Sequence, residues 1–168
     1  MTSPRPLEVA IEIASSDWTS ALPDAEALAA RALTAAFHHA APAGGGLAEV
    51  SLVLAGDDMV AELNKDYRGK DGPTNVLSFA MHEDDGQSPV SGQPDLLGDV
   101  VVAFGVSDRE ARDQGRPLAD HLSHLCVHGM LHLLGFDHED EAEAERMEQL
   151  ETRILGDLGV PDPYGKER

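Results

Sequence analysis

The sequence predicts an α/β (α+β) fold: a single mixed sheet of about four strands flanked by helices, in the order β-α-β-α-β-β-α-α-α. Three observations carry that prediction. Leu7–Ile13 and Val50–Leu54 alternate apolar and polar residues with the period of two that a half-buried strand requires. Val100–Phe104 is continuously apolar, the pattern of a strand covered on both faces. The last third of the chain has helical spacing instead, with Met147, Leu150, Ile154 and Leu158 on one apolar side.

Taken in order, Leu7, Val9, Ile11 and Ile13 share one face of the first strand, with Glu8, Ala10 and Glu12 on the other. Pro23 opens an Ala-rich helix to about His39, with Ala29, Leu33, Ala36 and Phe37 on one face and the proline in the first turn. Pro42 and Gly44-Gly45-Gly46 end it. After the second strand, Asp57 is placed to cap a helix over about Asp58–Tyr67, and Asp71-Gly72-Pro73 forms a turn. Val76–Ala80 reads as the third strand and the polar stretch from Met81 to Pro94 as a loop; Gly98-Asp99 leads into the fourth strand. Ser107 is a suitable N-cap for a short helix through Gln114, stopped by Gly115. Pro117 begins a helix that runs to Leu134 and ends at Gly135, and the final helix spans about Asp140–Leu155.

With 168 residues the chain has room for one domain, with an ordered core expected over about residues 6–160. Apolar residues at 42% and charged residues at 26% exclude a disordered or fibrous chain. No stretch approaches the roughly 20 uninterrupted apolar residues of a membrane span. The polar start runs directly into a strand, so no secretory signal and no membrane attachment are expected; the cytoplasm is the expected location. The single cysteine, Cys126, cannot form an internal disulfide, as suits a reducing compartment.

Twelve Lys+Arg against 31 Asp+Glu give a net charge of −19. Such a chain repels nucleic acid over most of its surface, and any polyanion it handles must meet a local basic patch. The largest concentration is Lys65, Arg68 and Lys70; Arg109, Arg112 and Arg116 form a looser group.

The helix Pro117–Leu134 carries His121, His124, His128 and His132, spaced 3, 4 and 4. At about 100° per residue all four fall within an arc of about 80°. His128 and His132 form the i, i+4 pair that lets two imidazoles converge on one cation, and His138, beyond the break at Gly135, can close a third corner. Three imidazoles with an open fourth position describe a catalytic zinc site. Cys126 lies about 200° around the helix from His128 and points elsewhere, as a small buried apolar group. Asp137 and Glu139 flank His138 and are candidates to ligate or orient it, Glu139 equally a solvated acid at a helix start. His121 and His124 contact substrate, support the ligands or serve as ordinary core or surface histidines. His38, His39 and His82 show no pattern. The residue after the first ligand is Gly129, where zinc proteases of the HExxH type keep their general base. Hydrolysis without that glutamate needs transition-state charge stabilised elsewhere. Arg68 is the candidate, since guanidinium binds phosphate bidentately; by itself it also reads as an exposed loop charge. Lys65, Lys70 and His124 are the candidate substrate contacts.

The segments His128–His138 (HGMLHLLGFDH), Asn64–Phe79 (NKDYRGKDGPTNVLSF) and Leu96–Ala103 (LLGDVVVA) together resemble the YbeY family of bacterial rRNA maturation endoribonucleases, over about Val50–Tyr164. The resemblance implies a zincin-like fold, zinc held by His128, His132 and His138, and a functionally important Arg68. It also implies cleavage of single-stranded RNA, a part in maturing the 3′ end of small-subunit ribosomal RNA and in ribosome quality control, and the small subunit or its assembly factors as partners. Two other functions fit the residues: a zinc hydrolase of peptides or esters, which Gly129 disfavours, and a non-catalytic ribosome-assembly factor with a structural metal. Nickel or copper would also suit three imidazoles. The acidic segment His82–Pro94 has no assigned role, and neither the cleavage position nor the oligomeric state is written in the sequence.

Overall fold

The most continuously apolar stretch of the chain becomes the strand on which two layers of helix are laid. The structure, a computed structural model, describes residues 5–41, 46–81, 94–137 and 139–164. In chain order its elements are β1 (Leu7–Ile13), α1 (Asp17–Ala21), α2 (Ala25–Ala40), β2 (Ala48–Ala55), α3 (Asp57–Arg68), β3 (Val76–Ala80), β4 (Asp95–Ala103), α4 (Phe104–Gln114), α5 (Leu118–Leu133) and α6 (Glu141–Asp157). The four strands form one mixed sheet in the order β1-β2-β4-β3. β1 pairs parallel with β2, β2 parallel with β4, and β3 antiparallel with β4.

The expected order holds, with one short helix added. α1 has only five residues and no period to read; its Trp18 is fully buried, stacks edge-on against Phe104 at 5.1 Å and donates its indole N–H to the Ala55 carbonyl at 3.0 Å. β1 alternates half-buried and exposed positions, as its sequence predicts. β4 is continuously apolar from Val100 to Ala103, where both faces are covered, but it begins five residues earlier than the sequence suggests, at Asp95, and Phe104 belongs to the next helix. Leu97, Val100 and Val102 join the large core with α2, α5 and α6, whereas Val101 and Ala103 meet Val60 and Leu77 on the α3 side. No helix among the described residues is long and apolar enough to cross a membrane.

Two caps fall elsewhere than expected. Asp57 does not cap its own helix: α3 starts from Gly56 with no side-chain cap, and the Asp57 carboxylate accepts from Val106 N (3.0 Å) and Arg109 (3.4 Å) at the start of α4. With an acceptor supplied across space, α4 begins at Phe104, directly from the strand, and Ser107 lies buried inside it. Pro23 likewise precedes α2, whose N-cap is Asp24. Gly115 ends α4 in the left-handed conformation as predicted. Of the expected loop, residues 82–93 lie outside the described residues.

α5 is the central helix, packed against α2, α4, α6, β3 and β4. It comes close enough to the sheet that a Cβ on Gly129 would lie 2.7 Å from Val100 Cγ1, and Ser78 Oγ donates to the Gly129 carbonyl at 3.2 Å. Gly98 is tighter still: at φ +139, a Cβ there would collide with the Phe79 carbonyl oxygen.

Gly129→Ala is therefore expected to lower stability by about 1–3 kcal/mol, the usual cost of overpacking. Urea denaturation measures it, and adding Val100→Ala should restore part of the loss as a coupling in a double-mutant cycle. A Gly129→Ala protein as stable as the wild type would show that α5 can simply back away. Cys126 is fully buried among apolar neighbours, which pushes its thiol pKa up to about 12. Thiol reagents should label it only after denaturant opens the core, and rapid labelling of the native protein would contradict this packing.

Candidate metal centre

Of the four histidines on α5, the structure brings all into one continuous polar stripe along a helix that is otherwise buried. His128 and His132, one turn apart, turn their Nε2 atoms toward each other at 3.0 Å, with ring centroids 4.5 Å apart. Zinc–imidazole bonds of about 2.0–2.1 Å in tetrahedral geometry put two ligating nitrogens about 3.3 Å apart, so the pair fits a divalent ion with little movement. Behind His128, its Nδ1 lies 2.7 Å from Glu151 Oε2 on α6. Metal-binding histidines are commonly oriented by such a carboxylate.

Glu151 is the group that sequence reasoning missed. It is fully buried, and it is the acid within the apolar stripe of Met147, Ile154 and Leu155, which was its one visible signal. Its Oε1 accepts from His124 Nε2 at 2.8 Å and from the Tyr164 hydroxyl at 2.5 Å. Burial pushes the carboxyl pKa up, but hydrogen bonds from His124, His128 and Tyr164 and the charge of His128 outweigh it and hold the value down at about 2. The same burial, together with the neighbouring carboxylate, raises the Tyr164 pKa, so its hydroxyl stays a donor.

His121 has a different partner. Its Nε2 donates to Glu110 Oε1 at 2.9 Å, and that oxygen also accepts from Asn75 Nδ2 at 3.0 Å. Burial lowers the His121 pKa. Arg116 reaches between the rings, its Nη1 3.3 Å from His121 Nδ1 and 3.5 Å from His124 Nδ1. His121 and His124 are thus built into a hydrogen-bonded network. His38 and His39, expected to be incidental, contact the Arg5 carbonyl and Asp157 far from this stripe.

The predicted third ligand, His138, lies outside the described residues. What precedes it fits the expectation: α5 gives way at Leu134, and Gly135 turns at φ +99. Among the described residues no group of three or more His, Cys, Asp or Glu side chains is gathered to hold a metal ion. Asp137 and Glu139 are exposed on either side of position 138.

Arg68 is the last residue of α3 and is exposed, as are Lys65 and Lys70. Among the described residues no hydrogen bond joins it to the α5 histidines, and α3 covers the sheet face opposite α5. Both elements border the edge strand β3: the ring of Tyr67, beside Arg68, stands 5.5 Å from that of Phe79, while Ser78 touches Gly129, beside His128. The second basic group is neutralised, with Arg109 on Asp57 (3.4 Å), Arg112 on Asp108 (3.1 Å) and Arg116 among the histidines. Arg109 and Arg112 are exposed too, but Lys65, Arg68 and Lys70 are the exposed basic group with no ion pair among the described residues.

Comparison with known proteins places this arrangement in a family. The chain is 53% identical over 161 residues to the Endoribonuclease YbeY of Paramagnetospirillum magneticum, covering 96% of this chain and 98% of that protein. It is 48% identical over 168 residues to that of Rhodospirillum rubrum, covering 97% and 84%. A solution structure from Thermotoga maritima superimposes with a TM-score of 0.51 at 22% identity over 94% of this chain and 99% of that one, a likeness of fold. The similarity extends further toward the N-terminus than the motifs alone suggest. The profile of the family described as Endoribonuclease YbeY matches residues 11–159, from β1 to the end of α6, and the chain belongs to that family.

Proposed function

We propose that this protein is a zinc-dependent endoribonuclease that cuts single-stranded RNA. Its substrate is a ribosomal RNA precursor, and its work is 3′-end maturation of small-subunit ribosomal RNA and ribosome quality control in the cytoplasm, with the small subunit or its assembly factors as partners. The observation that carries the metal part is the convergence of His128 and His132, with Nε2 atoms 3.0 Å apart and His128 backed by Glu151. The RNA part is supported by membership of a family named for endoribonuclease activity.

In this reading His128, His132 and His138 hold one zinc ion per chain. Zinc held there supplies Lewis acidity, easing deprotonation of an attacking water near neutral pH and stabilising charge on a phosphodiester. The chain's own residues then have separate tasks. Arg68 binds the scissile phosphate by its planar fork, across the β3 edge from the histidines. Lys65 and Lys70 hold neighbouring phosphates, and the exposed Tyr67 ring beside them is a surface against which a base can stack. Gly129 gives a physical reason for disfavouring the peptidase alternative, since a glutamate in that place would collide with Val100. The deciding experiment is cleavage of a single-stranded RNA, its duplex and casein, each with and without chelator. Loss of RNA cleavage on chelation, with no action on casein, is expected; RNA cleavage untouched by metal removal would overturn the reading.

His132→Ala should remove most of the bound metal, as elemental analysis of purified protein would show, and lower the melting temperature to that of the chelated wild type. Equal metal in mutant and wild type would reject the ligand assignment. Arg68→Lys and Arg68→Glu should each slow single-turnover cleavage by about 10²–10³-fold, the effect of removing one preorganised donor, with lysine failing to rescue because it lacks the fork. Metal content and melting temperature should stay at wild-type values, since Arg68 is exposed. Full activity in Arg68→Glu would exclude it from catalysis.

A further inference from the structure

We infer that Glu151 is a positioning residue that fixes the tautomer of His128, so that this ring presents its Nε2 lone pair to a metal ion, and that Tyr164 and His124 hold the carboxylate in place for the task. The inference rests on the metal reading above and adds residues to it.

A free imidazole prefers its proton on Nε2, and in that form His128 would point an N–H at the Nε2 of His132, 3.0 Å away, with nothing to offer a cation. Glu151 reverses the preference. An ionised carboxylate only accepts hydrogen bonds, so the contact of 2.7 Å between Oε2 and His128 Nδ1 requires the proton on Nδ1. The carboxylate cannot turn away, because Oε1 is held by His124 Nε2 at 2.8 Å and by the Tyr164 hydroxyl at 2.5 Å. Nor can water substitute for it, since Glu151 has no exposed surface.

The network reaches further on both sides. Asp162 Oδ1 accepts from Thr152 Oγ1 at 3.2 Å and from Tyr164 N at 2.8 Å, folding the chain after α6 back so that the Tyr164 hydroxyl reaches Glu151. On the other side the carboxylates Glu110 and Glu151 accept from Nε2 of His121 and His124, which places those protons on Nε2, and Arg116, a donor only, lies 3.3 Å from Nδ1 of His121 and 3.5 Å from that of His124. His128 is thereby set in the tautomer opposite to those of the two histidines above it.

The test is a proton–nitrogen NMR correlation of the imidazole rings in the full chain, stripped of metal and held above the pH range in which imidazoles titrate. His128 should carry its proton on Nδ1, and His121 and His124 theirs on Nε2. In Glu151→Gln the amide oxygen is kept where His124 and Tyr164 both donate, which turns the N–H₂ toward His128, so the His128 signature should change. Zinc affinity, read by competition with a chromophoric chelator, should fall about 10–100-fold. Wild-type His128 protonated on Nε2 would overturn the inference, as would a folded Glu151→Gln protein with wild-type zinc affinity. The wild-type tautomer needs no variant, so it decides the matter even if Glu151→Gln fails to fold. A wild-type chain that binds no zinc would instead overturn the metal reading while leaving the tautomer measured.

Discussion

The buried carboxylate of Glu151 is the interaction on which the centre of this protein depends. α5 is enclosed by three helices and two strands, a position suited to leucine, and yet it carries four imidazoles. An ionised group taken out of water costs several kcal/mol unless its hydrogen-bonding sites are filled. Here one fully buried acid is met by three donors, from His124, His128 and Tyr164, and in return satisfies two of the four histidines. Glu110 does the same for His121 from the side of α4. Removal of either partner would leave a buried polar group unpaired, so helix packing and site geometry are held by the same bonds. α6 and the chain as far as Tyr164 are therefore part of the site even though they supply none of the predicted ligands.

How much of this was legible in the sequence follows the range of each interaction. Strands and long helices show their period locally, and three strands and the five longer helices were placed to within a few residues; β4 was found only in its apolar half, because its first five residues, Asp95 to Asp99, lack a continuous apolar pattern. The i, i+4 pair of His128 and His132 is local in the same sense. What escaped acts across space. Asp57 and Ser107 both have the chemistry of caps, but the start of α4 takes its acceptor from Asp57 on α3, 49 residues away, so the local preference of Ser107 was never used. Glu151 is 23 residues from His128, and its only trace was an acid among the apolar positions of α6. The loop His82–Pro94, which the sequence left without a role, falls almost entirely outside the described residues, as does His138.

Charge shows a similar division between composition and arrangement. A net charge of −19 says that polyanions are repelled on average. It does not say which cations are left to act. Arg109 and Arg112 are spent on Asp57 and Asp108, and Arg116 is drawn into the histidine network, where burial lowers its pKa. Lys65, Arg68 and Lys70 sit at the end of α3 and just beyond it, where Gly69 stops the helix in the left-handed conformation. Cations at a helix C-terminus are stabilised by the helix dipole, so this is also the place where an acidic chain can keep them at least cost. The same cluster stands beside Tyr67, the most exposed large apolar residue among those described, and in the proposed reading this joins phosphate-binding charge to a stacking surface for single-stranded nucleic acid.

Gly129 links packing to chemistry. The glutamate that many helical zinc sites keep beside their first ligand has no counterpart beside His128, the proposed first ligand, and the fold leaves it no room: α5 is pressed against β4 until a Cβ at Gly129 would collide. That close approach lets Ser78 of β3 bond the Gly129 carbonyl and brings the His128 turn to the edge of the sheet. A peptide bond needs a general base to activate water and then to protonate a poor leaving group. A phosphodiester of RNA makes a different demand, because its transition state spreads negative charge over several oxygens and is served by cations placed around it. In the function proposed above, a site with close packing in place of a carboxylate at position 129, and with Arg68, Lys65 and Lys70 to meet phosphates, is better matched to the second demand than to the first.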